Sequence, residues 1–114
     1  MTELKQKYVA VEWLAGEGEI ANINPSDLSD VIGNYAQAGA EQLDMAIDQA
    51  RKAQREWAAY GLERRQAVLQ AIGEELIARS EELGTLLSRE EGKPLAEGKG
   101  EIYRAGQFFT YYAA

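Results

Sequence analysis

Four short stretches of this chain hold residues whose types and spacing could do chemistry. Gly16-Glu17-Gly18 and Gly98-Lys99-Gly100 offer spaced glycines of the kind that let backbone N–H groups approach a phosphate. That cradle needs a third glycine three residues on and a buried strand leading into it. Ala21 and Tyr103 occupy those places, and the pattern predicts no buried strand before either stretch. Gly92-Lys93 matches the end of a phosphate-binding P-loop, but Leu87 stands where its first glycine belongs and Pro94 replaces its hydroxyl residue. Glu90-Glu91 could be a pair of carboxylates for acid–base work, yet adjacent helical residues point apart, so a solvated helix end is expected. None of the four carries the chemistry it suggests.

The chain has no cysteine and no histidine in its 114 residues. Disulfides, thiolate nucleophiles, thiolate or imidazole metal ligands and histidine-based triads are therefore excluded. Carboxylates, lysines and tyrosines remain, and each needs a desolvating pocket before it can act. The formal net charge is −7, from 19 acidic against 12 basic residues. Such a balance repels a phosphate backbone. Arg51-Lys52 with Arg55, and Arg64-Arg65, read as solvated helix faces or ion pairs, so no nucleic-acid partner is expected. The N-terminus leads into no apolar run of signal-peptide length, and no segment approaches the ~20 apolar residues of a membrane span. A soluble, cytoplasmic protein without a membrane partner is the expectation. At 114 residues the chain is one domain at most, or part of a larger one, with a modest core, and its 46% hydrophobic content argues against wholesale disorder.

The elements that would position these residues change character along the chain. Lys7 to Leu14 is β-prone, with Val9, Val11 and Trp13 on one side at period two. Ala15 to Gly18 is a turn signal, and Glu19 to Ile23 follows as the expected second arm of a hairpin. Asn24-Pro25-Ser26-Asp27 is another turn. Val31 to Gln37 then reads as a short strand, in which Gly33 marks a bulge or a close approach. From Gly39 the pattern is helical. Leu43, Ala46, Ile47, Ala50, Ala53 and Trp57 form one stripe, ended by Gly61. Leu62, Val68, Leu69, Ile72 and Leu76 form a second, to about Arg79. Ser80-Glu81-Glu82 starts a third helix at a favourable dipole end, and Gly92-Lys93-Pro94 stops it. Ile102, Ala105, Phe109 and Tyr112 mark the fourth. The expected fold class is thus an α+β fragment: strands over residues 7–37, then about four amphipathic helices over residues 39–114.

The last helix shows neither a capping glycine nor a proline stop, and Phe108-Phe109-Thr110-Tyr111-Tyr112 wants a partner surface. The stripes look built to cover a parallel sheet that these strands do not supply. A truncated piece of a longer protein is the expectation, with a small self-packed bundle as the alternative. Alone, the chain is expected to be helical but poorly packed.

The order of these signals is more specific than any one of them. A Trp-containing hairpin leads to Ile23-Asn24-Pro25, then to Val31-Ile32-Gly33, then to an Ala-rich helix ending near Trp57. Glu63-Arg64-Arg65, Glu82-Leu83, Glu90-Glu91-Gly92-Lys93-Pro94-Leu95 and Glu101 follow, before Tyr111-Tyr112-Ala113. This succession, from about Tyr8 to Ala114, resembles the N-terminal region of the NAD(P)-dependent aldehyde dehydrogenase superfamily, part of its Rossmann-like cofactor domain. The runs 59–65 and 87–93 are most similar to the 2-oxoglutarate semialdehyde (2,5-dioxovalerate) dehydrogenases.

The resemblance implies a full-length enzyme that binds NAD or NADP and oxidises an aldehyde through a cysteine thiohemiacetal, hydride transfer and thioester hydrolysis. It implies that the nucleophile, the general base and the cofactor-binding segments all lie beyond the matched region. No catalytic or cofactor-binding residue is therefore expected in this chain, and no cofactor of its own. The role implied for this region is structural, packing helices against the cofactor domain. One site carries over: a structural monovalent cation held by backbone oxygens at Asn22 and Ile23 and by the carboxylate of Glu101, where the family often has Asp. A helix N-terminal carboxylate favoured by the dipole is the other reading of Glu101. Expected partners are the remainder of the enzyme or a second copy, through exposed apolar helix faces. The competing reading is a stand-alone helical interaction module derived from this region.

Overall fold

In the computed structural model the described residues are 4–9 and 12–114, so the expected alignment of Val11 with Val9 and Trp13 lies outside them. The chain divides into two compact units, Met1–Ala58 and Ala59–Ala114.

The first unit holds β1 (Leu4–Lys5), β2 (Lys7–Val9), β3 (Glu12–Leu14), β4 (Gly18–Ile23), β5 (Val31–Gln37) and nearly all of α1 (Ala40–Ala59). The expected hairpin forms differently. The run 7–14 folds on itself as β2 and β3, antiparallel, with Tyr8 opposite Trp13 and their rings 5.0 Å apart. The segment expected to pair with that run, β4, pairs instead with β5, and β1 joins the other edge of β5 in parallel. Locality explains the choice, because the short β4–β5 connection costs little closure entropy and is internally bonded. Asn24 Oδ1 accepts from the Ser26 N–H at 2.9 Å, the Asn24 N–H donates to the Asp30 carbonyl at 3.0 Å, and Asp27 Oδ1 accepts from both the N–H and the hydroxyl of Ser29. These are the side-chain turns that Asn and Asp favour. The register shifts between Asn22 and Ile23, whose partners are Gly33 and Val31. Ile32 is thus the extra residue, and the irregularity falls beside Gly33 as expected.

α1 carries its apolar stripe without covering it. None of its residues is buried, and Leu43 is 56% exposed. Its start is tied to the hairpin by Gln42, whose Nε2 donates to the Ala15 carbonyl at 2.9 Å.

The second unit holds α2 (Gly61–Ala78), α3 (Ser80–Glu91) and α4 (Leu95–Ala113), with α4 packed on both of the others. The buried residues of these helices are Gly73, Gly84, Gly98, Gly106 and Ala113. Their contacts run backbone against backbone. A Cβ on Gly106 would stand 2.8 Å from the Gly73 carbonyl oxygen and 2.6 Å from Ile77 Cγ1. A Cβ on Gly98 would stand 2.6 Å from the Gly84 carbonyl oxygen, and one on Gly84 would run into the Lys99 backbone. α3 ends at Gly92, whose φ of 70° suits a residue without Cβ and whose N–H donates to the Ser88 carbonyl at 2.8 Å. The N-cap of α3 is Arg79, which makes no side-chain cap bond, and Ser80 is the first helical residue.

Among the described residues Ala36 and Ala113 are the only buried apolar side chains. Leu28, Leu62, Tyr111 and Tyr112 are all at least 70% exposed. No described helix is long and apolar enough to cross a membrane.

Candidate functional site

The stretches that suggested phosphate chemistry serve packing. The Glu17 N–H donates to the Gln37 carbonyl at 3.1 Å, and a Cβ on Gly16 would collide with that same carbonyl. Lys7 Nζ also donates to the Gln37 carbonyl, at 3.2 Å, and to that of Ala15 at 2.9 Å. Gly16 is therefore where the chain leaves the hairpin and passes the end of β5. Gly98 lies in the α3–α4 crossing, while Lys99 Nζ is ion-paired to Glu81 at 2.5 Å. Gly92 is a helix terminator rather than part of a phosphate loop. Within the basic runs, Lys52 meets Asp48 at 2.9 Å, and the Arg64 guanidinium lies 3.7 Å above the Tyr60 ring.

The three residues expected to hold a cation are distributed over the two units. Asn22 and Ile23 end β4 at its bulge, in the first unit, and Ile23 is exposed. Glu101 lies on α4, in the second unit. Its carboxylate accepts from Lys93 Nζ at 2.5 Å, and the same ammonium meets Glu91 at 2.5 Å. Lys93 is the least exposed member, at 20% against about half for each carboxylate. Its ammonium is held above the usual lysine range, first by the hydrogen bond to Glu101 and then by that to Glu91. The donor set at Glu101 thus already contains a positive charge supplied by its own chain. Among the described residues no group of three or more carboxylates stands together as metal ligands.

Two concavities went unread in the sequence. In the first unit Glu12, Glu17, Glu41, Gln42 and Met45 help to line an open cleft of about 660 Å³. Gln42 Oε1 is buried there with no donor among the described residues. In the second unit Arg104, Phe108, Tyr111 and Tyr112 border a shallow aromatic hollow of about 370 Å³, with Leu69 and Phe109 around a smaller one beside it. The aromatic run on α4 was the available signal for the hollow. The cleft gathers residues from β3, the following loop and α1, so no local pattern announces it. Neither concavity contains a nucleophile poised against a base.

Residues 13–114 match the profile of the aldehyde dehydrogenase family. The chain is 36% identical over 110 residues to the glutarate-semialdehyde dehydrogenase of Pseudomonas putida, covering 96% of this chain and 23% of that protein. It is 34% identical over 116 residues to the alpha-ketoglutarate semialdehyde dehydrogenase of Haloferax volcanii, covering 100% and 24% respectively. An aldehyde dehydrogenase structure from Brucella melitensis biovar abortus 2308 superposes with a TM-score of 0.90 at 31% identity, over 96% of this chain and 23% of that one. A NAD-dependent benzaldehyde dehydrogenase structure from Corynebacterium glutamicum gives 0.88 at 32%, over 96% and 24%. The chain belongs to the aldehyde dehydrogenase family. It spans about a quarter of the length of the relatives it matches.

Proposed function

We propose that this chain is the N-terminal structural portion of an NAD(P)-dependent enzyme that oxidises a semialdehyde to a carboxylic acid, and that alone it is catalytically silent. One observation carries the reading: the family match runs through nearly the whole chain, yet the chain contains no cysteine. Without a thiolate no thiohemiacetal or thioester forms. The substrate class follows from the semialdehyde dehydrogenases among the relatives, and the cofactor from relatives described as NAD- or NADP-dependent. The role left to this chain is to lay the uncovered faces of α1 and α4 against the rest of the enzyme, which orients the cofactor domain without touching the reacting atoms.

A complementation assay tests this. The Pseudomonas putida enzyme is expressed without the segment aligned to this chain, and oxidation of glutarate semialdehyde is followed as NAD(P)H formation. Activity is expected when this chain is fused in place of the missing segment, and none from this chain by itself. Soluble fusions that stay inactive, together with selective capture of an unrelated protein, would favour the stand-alone interaction module.

A further inference from the structure

The link between α3 and α4 contains an ion cluster in which Lys93 joins Glu91, like it a residue of the matched motif, to Glu101, the position where the resemblance implies a shorter Asp. Gly92 turns the backbone through a left-handed conformation and Pro94 holds φ at −56°. Lys93 sits between these two restrained residues, with its ammonium 2.5 Å from both Glu91 and Glu101. We propose that the Lys93 ammonium is the resident counter-ion of Glu101 and takes the place of a free monovalent cation there. A free cation would have to displace a group tethered only a few bonds from the backbone, whose effective concentration is set by that tether rather than by the medium. It would also separate the Lys93 ammonium from the carboxylate it already meets. The disagreement with the cation expected at this carboxylate is specific to Glu101. It makes no use of catalysis, so it stands or falls separately from the proposed function.

The experiment compares the whole chain in potassium, sodium and tetramethylammonium chloride at equal ionic strength. Helical content at 25 °C and the thermal midpoint, where a transition is resolved, are read by circular dichroism. The wild-type chain is expected to give the same helicity in all three salts, and midpoints within about 1 °C of each other. Lys93→Met is expected to lose helicity in tetramethylammonium and to recover it in potassium or sodium, because the vacated carboxylates then accept a small cation. A wild-type chain stabilised by potassium or sodium by about 5 °C over tetramethylammonium, with that difference abolished in Glu101→Gln, overturns the proposal. So does a Lys93→Met chain that no cation rescues.

Discussion

The ion pair between Arg79 and Glu82 is exposed, and its value lies in where along the pH scale it is lost. Arg79 spans the junction between α2 and α3, with its Nε 3.1 Å and its Nη2 2.9 Å from the two oxygens of Glu82. That grip, first by hydrogen bonding and then by charge, holds the Glu82 carboxyl below its ordinary value of 4.5. A depressed folded-state value means that the pair stabilises above the unfolded value and is lost as pH falls through the folded one. Lys93 has the opposite sign: its contribution is full below the ordinary 10.5 and is lost as pH rises beyond that. Helicity followed from pH 2 to 12 should therefore fall on both arms. Glu82→Gln should reduce the fall on the acid arm and Lys93→Met that on the alkaline arm, each by a small amount because solvent screens both sites. At Gly92, replacement by Ala forces a Cβ into the left-handed region and should cost about 1–2 kcal/mol, with Asn costing less. Urea titration of the helical signal checks the order.

Among the helices, the glycines fall into two kinds that sequence alone does not distinguish. Gly98 and Gly100 are two residues apart on α4. A Cβ at Gly98 meets the α3 backbone, whereas one at Gly100 meets nothing within 4 Å. Gly100→Ala is therefore expected to stabilise the second unit, by up to about 1 kcal/mol from helix propensity. Gly98→Ala and Gly106→Ala should instead destabilise it by about 1–3 kcal/mol, because the helices have to separate. Chemical denaturation of the three variants beside wild type reads the difference in sign. This contrast also shows what the sequence made legible. The limits of β5 and of the four helices followed from periodicity and from Gly61, Gly92 and Pro94, because local backbone preference decides them. The partner of β4 did not, since pairing depends on which edge the chain can reach first. Nor did the crossings: Gly73 and Gly106 read as weak points in their own helices until the helices are set side by side. At the expected cation residues, the resemblance set Glu101 at the start of the last helix, whereas α4 begins at Leu95 and has Glu97 in its first turn, and nothing in the sequence signalled that Lys93 would turn back onto Glu101.

Taken whole, the chain has helices with apolar stripes and almost nothing buried beneath them. Among the described residues the two buried apolar side chains are alanines, which contribute little area. The isolated chain should accordingly show strong helical circular dichroism, bind a hydrophobic dye such as ANS, and unfold gradually on heating. Fusion to the remainder of a related enzyme should abolish the dye signal and sharpen the transition. A sharp melt of a monodisperse monomer would falsify this description. The backbone-on-backbone crossings of α4 bear also on the order of events in time. Gly84 and Gly98 are neighbours along the chain compared with Gly73 and Gly106, so the α3–α4 contact closes the smaller loop and should form first. Once formed, it carries Gly106 toward Gly73 and leaves the outer crossing little further entropy to lose. The second unit would then assemble as a zipper that starts at the Gly92 turn, and a substitution at Gly98 should slow its folding more than one at Gly106.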